Sequence, residues 1–570
     1  MIDFSKHIIL STMTTFLLSL SISTCATGES VSGPLVVCTS PPNKCIVQLP
    51  DGTIKSFFTV EGKNCASSIS TDGGRTWSKP KIEFESTVPE AGVVVALVDK
   101  DGQLHAFMLA RRDTGHRPMV DYFIDIWHCK TIAGLTEWSE PKCIYEGYVG
   151  ALNGVVQLKS GRIVLPQQCW LAGVPCAPPT GCHIVTTNYS DDGGETWKLS
   201  EAKLTAPCHT DYLSETYGAC EPVIIELKDG RAWMLMRTQT GYLYESFSRD
   251  GVNWSEAKAS RFYSSDSPAN LLRLPDGRIV VFWNNCKDST RVNGAAVYTN
   301  RDALHAAISD DEGQSWRGYR EISRDPNRNE PPPQQGDRGT AYPFSAATSD
   351  GKILLATGQG RGREVFMLID PDWLCETHHE DDFSNGLDGW SIFKPFGPIT
   401  GRVWRNRTIG AVLADHPTKA GAKVLHVRRP DEKDGDCAIW NFPSGSKGKL
   451  TMNIMLREGF GGASIALADC FITPNDPAAD KLVPFKLSID NDGKLPGGAK
   501  LQKGQWYSVD LVWDMKKDQC EVLIDSKKVV ILTQLNKDSH DISYLRLESK
   551  AKTTDPAGFL LEYVKVNCGE

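Results

Sequence analysis

The chain has 570 residues, 40% of them hydrophobic and 23% charged, with 62 Lys and Arg against 70 Asp and Glu for a formal charge of −8. That length, about three to four times the commonest domain size, excludes a small disulfide-stapled scaffold, and the composition excludes a disordered chain. The negative balance gives no general electrostatic footprint for nucleic acid, so any anionic ligand must be met by a local basic cluster.

At the N-terminus Lys6 and His7 precede an apolar run from Ile8 to Ile22, followed by small residues around Ala26. This is the layout of a secretory signal, removed over residues 1–26, and it predicts an exported protein: periplasmic, extracellular or surface-attached. Cys25 also admits a lipoprotein anchor, although Ile22 and Thr24 fit that cleavage signature poorly. No later stretch reaches the ~18 to 20 apolar residues of a membrane span. Seventeen cysteines, sixteen without Cys25, are compatible with bridges, and Cys176–Cys182 across a Pro/Gly-rich loop is the first candidate pair. No CxxC pair exists and the 12 His are scattered, so neither metal nor cofactor is expected.

The 50 Gly, 32 Pro and 15 Trp point to an all-β chain rich in turns, and an internal repeat organises it. Ser70-Thr-Asp72-Gly-Gly74-Arg-Thr76-Trp77 recurs at Ser190–Trp197 and Ser309–Trp316, with a shortened copy at Ser248–Trp254 and only the end of one at Thr136-Glu-Trp138. The pattern is a hairpin turn in which Asp caps amides, Gly takes a positive φ and Trp fills the space between neighbouring sheets. From Trp77 through Trp138, Trp197, Trp254 and Trp316 to a closing Trp373, the steps are 61, 59, 57, 62 and 57 residues. Six short strand pairs share the period, turning at Asp51-Gly52, Asp101-Gly102, Ser160-Gly161, Asp229-Gly230, Asp276-Gly277 and Asp350-Gly351. About 60 residues per unit suits a four-stranded blade, which predicts a six-bladed β-propeller over residues 35–375. Beyond Trp373 the box disappears. The strand-rich stretch 380–570 resembles a C-terminal β-sandwich, a jelly roll of the laminin-G or concanavalin type.

The repeated box is the Asp-box, and its recurrence in a six-bladed propeller resembles the sialidase (neuraminidase) superfamily of BNR-repeat proteins. The resemblance covers about 60% of the chain and implies an exo-acting glycoside hydrolase releasing a terminal acidic sugar, sialic acid first among them, from a glycan substrate. In that family a tyrosine attacks the anomeric carbon, because a carboxylate nucleophile would meet the substrate's own carboxylate. A glutamate takes its proton, arginines clamp the substrate carboxylate, and an aspartic acid protonates the leaving oxygen.

Carried over residue by residue, Glu221 starts one strand and Arg237 ends the next, so a hairpin turning at Asp229-Gly230 returns both to one end. Arg301, just before the box at Ser309, matches the last clamp arginine, and Tyr342 in Gly339-Thr-Ala-Tyr342-Pro matches the nucleophile. The family's first Arg-Ile-Pro motif is missing: the equivalent stretch reads Pro42-Asn-Lys44-Cys, with Lys44 as a substitute. Its acid is missing as well. Arg111-Arg112-Asp113-Thr-Gly-His116-Arg117 offers Asp113 or His116 as proton donor and Arg112 as a binding group, while Glu61 and Asp266 are further candidates. The missing arginine also admits a hydrolase or lyase acting on uronic or other 2-keto acid sugars, with His116 or His305 in proton transfer. A non-catalytic glycan-binding protein is the third reading.

Overall fold

The computed structural model describes residues 33–60, 64–85, 88, 91–113, 122–132, 137–173, 181–208, 218–287, 291–292, 295–296, 301–331, 339–359, 363–396, 406–476 and 479–569. The signal stretch 1–26, Glu61, His116 and Cys176 lie outside them. Among the described residues helix is limited to Ala479–Leu482 and the 3-10 turns Pro371–Cys375 and Met515–Lys517; the regular structure is otherwise strand. No helix among them is long and apolar enough to cross a membrane.

Among the described residues up to Ile369, six antiparallel sheets are each built on a path of four strands, beside a two-stranded ladder of Arg291–Val292 and Ala295–Ala296. The first sheet runs Cys45–Gln48, Ile54–Val60, Asn64–Ser70, Lys81–Glu85, and the next four repeat that order along the chain. The sixth, Phe344–Ala347, Ile353–Thr357 and Val365–Ile369, is completed by the N-terminal strand Leu35–Cys38. In every sheet the first two strands meet at one of the six predicted turns. The glycine takes φ between +79° and +95°, and its N–H donates to the carbonyl three residues back at 2.8–3.0 Å. Only glycine adopts that backbone without strain, which is why the turn recurs with it.

The four boxes share one bonding scheme, with spans one residue shorter at Ser248–Trp254. In the first, Gly74 N donates to Ser70 Oγ at 2.8 Å, Thr76 N to Asp72 Oδ1 at 2.9 Å and Trp77 Nε1 to Gly74 O at 3.0 Å. Each indole packs on the preceding sheet. Trp197 meets Phe107 of the second sheet, Trp254 packs with Val164 of the third and Trp316 meets Trp233 of the fourth. Trp77 reaches Phe366 of the sixth, so the first sheet is riveted to the last. Trp138 and Trp373 lack the box but keep the packing: Trp138 meets Phe57 and Phe84 of the first sheet, and Trp373 packs with the fifth-sheet residues Phe282 and Ile322. Trp138 Nε1 donates to Glu83 Oε2, and Trp373 sits in the 3-10 turn under the Arg320 guanidinium, 3.4 Å from the ring centroid. Neither is preceded by the Ser, Asp and Gly that make the box, so the inter-sheet position of the indole is kept without the turn.

The C-terminal part comprises an eight-stranded and a five-stranded antiparallel sheet. Trp390, Trp440 and Leu547 of the smaller sheet share one buried cluster with Leu450, Trp513 and Val564 of the larger. This part is bonded to the six-sheet part through buried polar groups. Tyr544 donates to Glu321 at 2.8 Å and contacts His305 Nε2, while Asn441 donates to Tyr319 O and accepts from Glu321 N. Arg407, fully buried, lies 3.3 Å from the Asp302 carboxylate.

The cysteine expectation needs correction. Among the described residues Cys182 is a free, buried thiol, whereas Cys208 is disulfide-bonded. Cys182 packs with Cys169 and Ile184 in an apolar cluster, and burial pushes its thiol up.

Burial lowers His305 to about 4, against the opposing pull of the Glu321 carboxylate. The fold therefore holds this imidazole neutral, and its contribution is present above pH 6.5 and lost as pH falls toward 4. Unfolding by urea across that window should show about 3 kcal/mol of acid destabilisation that the His305→Gln variant no longer displays. An unchanged pH slope in the variant would remove His305 as its source.

Candidate active site

The fourth sheet supplies the first half of the site. Strands Ala219–Glu226 and Ala232–Thr238 pair Cys220 with Arg237 and Val223 with Leu235, and the bulge between takes up Glu221 and Pro222. A bulge re-aims the side chain it carries, and Glu221 adopts φ +43° to make it. Its amide donates to Gln168 Oε1 of the third sheet at 2.8 Å, which holds the turned backbone. Tyr342 stands two residues before the sixth sheet's strand Phe344–Ala347, at φ +60°. Two side-chain-bearing residues in the left-handed region, each costing about 1–3 kcal/mol, are maintained only where surroundings over-determine them.

Those surroundings converge on Arg237. Its Nη1 donates to Glu221 Oε2 at 2.7 Å and to the Tyr342 hydroxyl at 3.1 Å, and its Nε donates to Asp266 Oδ1 at 2.5 Å. The Tyr342 hydroxyl donates in turn to Glu221 Oε1 at 3.0 Å. Arg301 Nη2 donates to the Asp266 carbonyl at 2.6 Å, and its guanidinium lies 5.4 Å from the Tyr342 ring centroid. Thr340 N donates to Arg301 O at 2.7 Å, tying the tyrosine segment to the arginine segment. Gly339 allows that approach, because a Cβ there would lie 2.6 Å from Arg301 O. Four sheets thus meet at one point, across sequence separations of up to 121 residues.

Arg237 and Arg301 are 4% and 0% exposed, and the Asp266 side chain is fully buried. Burial alone would lower the Arg237 guanidinium, but Asp266 first and Glu221 second hold it well above its ordinary value. Arg237 carries both carboxylates, while Arg301 is held by the Asp266 backbone carbonyl. Chemically, a phenol between a carboxylate acceptor and a guanidinium is set up to lose its proton, since the base and the group stabilising phenolate are both in place.

The remaining sequence candidates fall elsewhere. Arg112 forms an ion pair with Asp125, stacks on Phe123 and is half-exposed. Asp113 ends strand Leu104–Asp113, with its side chain outside the described set, and His116 lies outside it altogether. His305 is not at the cluster: both ring nitrogens are engaged, with Tyr544 and with the Asn285 amide, because its strand delivers it to the C-terminal part. Lys44 Nζ contacts Gly358 O, and burial lowers its ammonium to about 8. Gln168 was missed by sequence reasoning; a buried amide at a strand end carries no motif. A cavity of about 1270 Å³, bounded by Arg324, Arg363, Trp440 and Lys565, is lined by none of the four central side chains.

Removing Arg237 tests the cluster's energetics. Arg237→Met leaves Glu221 and Asp266 buried without their shared cation, which should cost about 3–5 kcal/mol in urea unfolding at pH 7. The deficit should shrink at pH 5, as the stranded carboxylates take up protons. An equal deficit at both pH values would show that their charge is not its cause.

The solved structure of Trypanosoma rangeli sialidase is similar at 15% identity over 92% of this chain and 90% of that one, with a TM-score of 0.37. A protein of unknown function from Dyadobacter fermentans is similar at 16% identity over 59% of this chain and 98% of that one, with a TM-score of 0.41. No curated protein matches the chain by sequence. Residues 68–355, half of the chain, match the BNR repeat-like domain family, and the chain belongs to that family.

Proposed function

We propose that this protein is an exported, exo-acting glycoside hydrolase that removes a terminal acidic sugar, sialic acid foremost, with net retention. In this reading the six sheets over residues 35–375 are the blades of a propeller, and residues 380–570 form a β-sandwich that buttresses it. Support for radial closure comes from the Trp77–Phe366 contact between the first and sixth sheets and from the N-terminal strand that completes the sixth.

The observation that carries the reading is the triangle of Tyr342, Glu221 and Arg237, with hydrogen bonds of 3.0, 2.7 and 3.1 Å. Glu221 takes the phenolic proton as the Tyr342 oxygen attacks the anomeric carbon, and the bond to the leaving oxygen breaks. Arg237 stabilises the phenolate as it forms and, with Arg301, meets the substrate carboxylate. The leaving oxygen needs one proton, for which Asp113 and His116 stand as donors. Water then attacks the glycosyl-tyrosine and gives its proton to the donor left deprotonated in the first step, Glu221 returns the phenolic proton to Tyr342, and the sugar departs. No step calls for a metal or cofactor.

Assays with a fluorogenic sialoside beside uronide substrates, with product absorbance followed for unsaturated sugars, test substrate and reaction class together. Tyr342→Phe should lower kcat by at least ~10³-fold, and Glu221→Gln by about 10²- to 10⁴-fold. Unfolding free energy in Tyr342→Phe should change by only about 1 kcal/mol, the worth of a hydrogen bond. Full turnover by Tyr342→Phe would refute the nucleophile assignment.

A further inference from the structure

The box at Ser190–Trp197 is seated differently from the other three. In each box the glycine whose N–H donates to the serine hydroxyl presses against the preceding sheet. A Cβ added at Gly74 would meet Leu354, one at Gly251 would meet Val164, and one at Gly313 would meet Trp316 and Trp233. Gly194 instead faces two imidazoles: its Cβ would lie 2.8 Å from His128 and 3.1 Å from His105. The His128 ring also meets Trp197 of the box at 5.1 Å and Phe107 at 4.9 Å between centroids. One of four equivalent contacts between sheets is thus built on titratable groups where the others are apolar.

The two histidines belong to a buried chain of hydrogen bonds. They stand on strands Leu104–Asp113 and Tyr122–Ile132 of the second sheet, 0% and 2% exposed. Asp99 Oδ1 accepts from the amides of Asp101 and Gln103 at 3.0 and 2.8 Å, and its Oδ2 lies 3.2 Å from His105 Nε2. His105 Nδ1 lies 3.0 Å from His128 Nε2. With Asp99 ionised, His105 donates from Nε2 and accepts at Nδ1, and His128 donates from Nε2, so two neutral rings satisfy the chain. A second proton on His105 would set N–H against N–H. One on His128 Nδ1 would bury a cation that faces Lys130 and Lys142, whose common partner is Glu195 of the box. Burial holds both imidazoles below their ordinary value, in His128 aided by His105 and the two lysines, in His105 against the pull of Asp99.

We infer that the contact between the second and third sheets is an acid-sensitive latch, closed while His105 and His128 are neutral and released locally when the opened contact lets them take up protons. The latch is independent of the glycosidase reading above. It bears on the same site, because the third sheet carries Gln168, the anchor of Glu221. In the opened contact each imidazole takes a proton below about pH 6.5, whereas in the closed one it does not, so closure is fully favoured above that pH and weakens as pH falls. The opening equilibrium therefore rises about tenfold per pH unit for each imidazole. Asp192 of the box stays out of this range: against the effect of burial, its hydrogen bonds to Thr196 and Ser190 hold the carboxyl at about 2.

Hydrogen–deuterium exchange of the protein from about pH 6 down to about pH 4.5, corrected for the intrinsic pH dependence of exchange, reads the latch directly. The reporters are the amides of Gly194 and Thr196, which donate to Ser190 Oγ and Asp192 Oδ1. The matching amides of Gly74 and Thr76, in the box seated on Leu354, are the reference. Opening at Gly194 should gain about ten- to a hundredfold per pH unit over the reference. His128→Gln keeps an N–H for His105 Nδ1 but does not titrate, and it should cut that gain by about tenfold per unit. His128→Leu, the apolar seat of the first box, should do the same and serves if His128→Gln does not fold. An equal pH dependence at the two boxes in the wild type would overturn the latch, as would a dependence at Gly194 that neither variant changes.

Discussion

A buried guanidinium needs acceptors buried with it, and Arg237 imposes that condition on everything around it. Its two carboxylates come from different stretches, Glu221 across its own hairpin and Asp266 from the start of the fifth sheet, while Tyr342 arrives from the sixth. Desolvating any of these charges alone would cost several kcal/mol. Together they form a closed hydrogen-bonded set, and in doing so they fix where the phenol oxygen lies relative to its base. The positive φ values at Glu221 and Tyr342 show that the backbone gives way to this geometry rather than the reverse.

Such a set needs a rigid frame, and two devices provide it. Each box tryptophan packs on the preceding sheet, so the sheets hold one another in succession through side-chain packing instead of through a continuous hydrogen-bonded sheet. The C-terminal part then reaches almost to the site from behind. Arg407 grips Asp302, the neighbour of Arg301, and Asn441 and Tyr544 engage Tyr319 and Glu321 in the same fifth sheet. A buried polar interface of this kind is specific in register, because each misplaced group would be left unsatisfied.

Much of this was legible before any coordinates. The boxes and the six Asp-Gly or Ser-Gly turns are local devices: their bonds close within four or five residues, so the motif contains its own geometry. Glu221 and Arg237 were readable for a similar reason, since one hairpin relates them. Proximity in sequence also misled: Cys182, close to Cys176, packs as a free thiol because its strand turns it into an apolar cluster.

The sequence by itself determined the repeating unit, the all-strand architecture and the identity of the chemically able residues, because these depend on turn chemistry and on patterns a few residues long. Tertiary structure alone decided which of them meet. Asp266 became the partner of Arg237, Gln168 the anchor of Glu221, and His305 a contact of the C-terminal part rather than of the site. Those pairings depend on how separate sheets are oriented about one another, and no run of residues along the chain encodes the angle between two sheets.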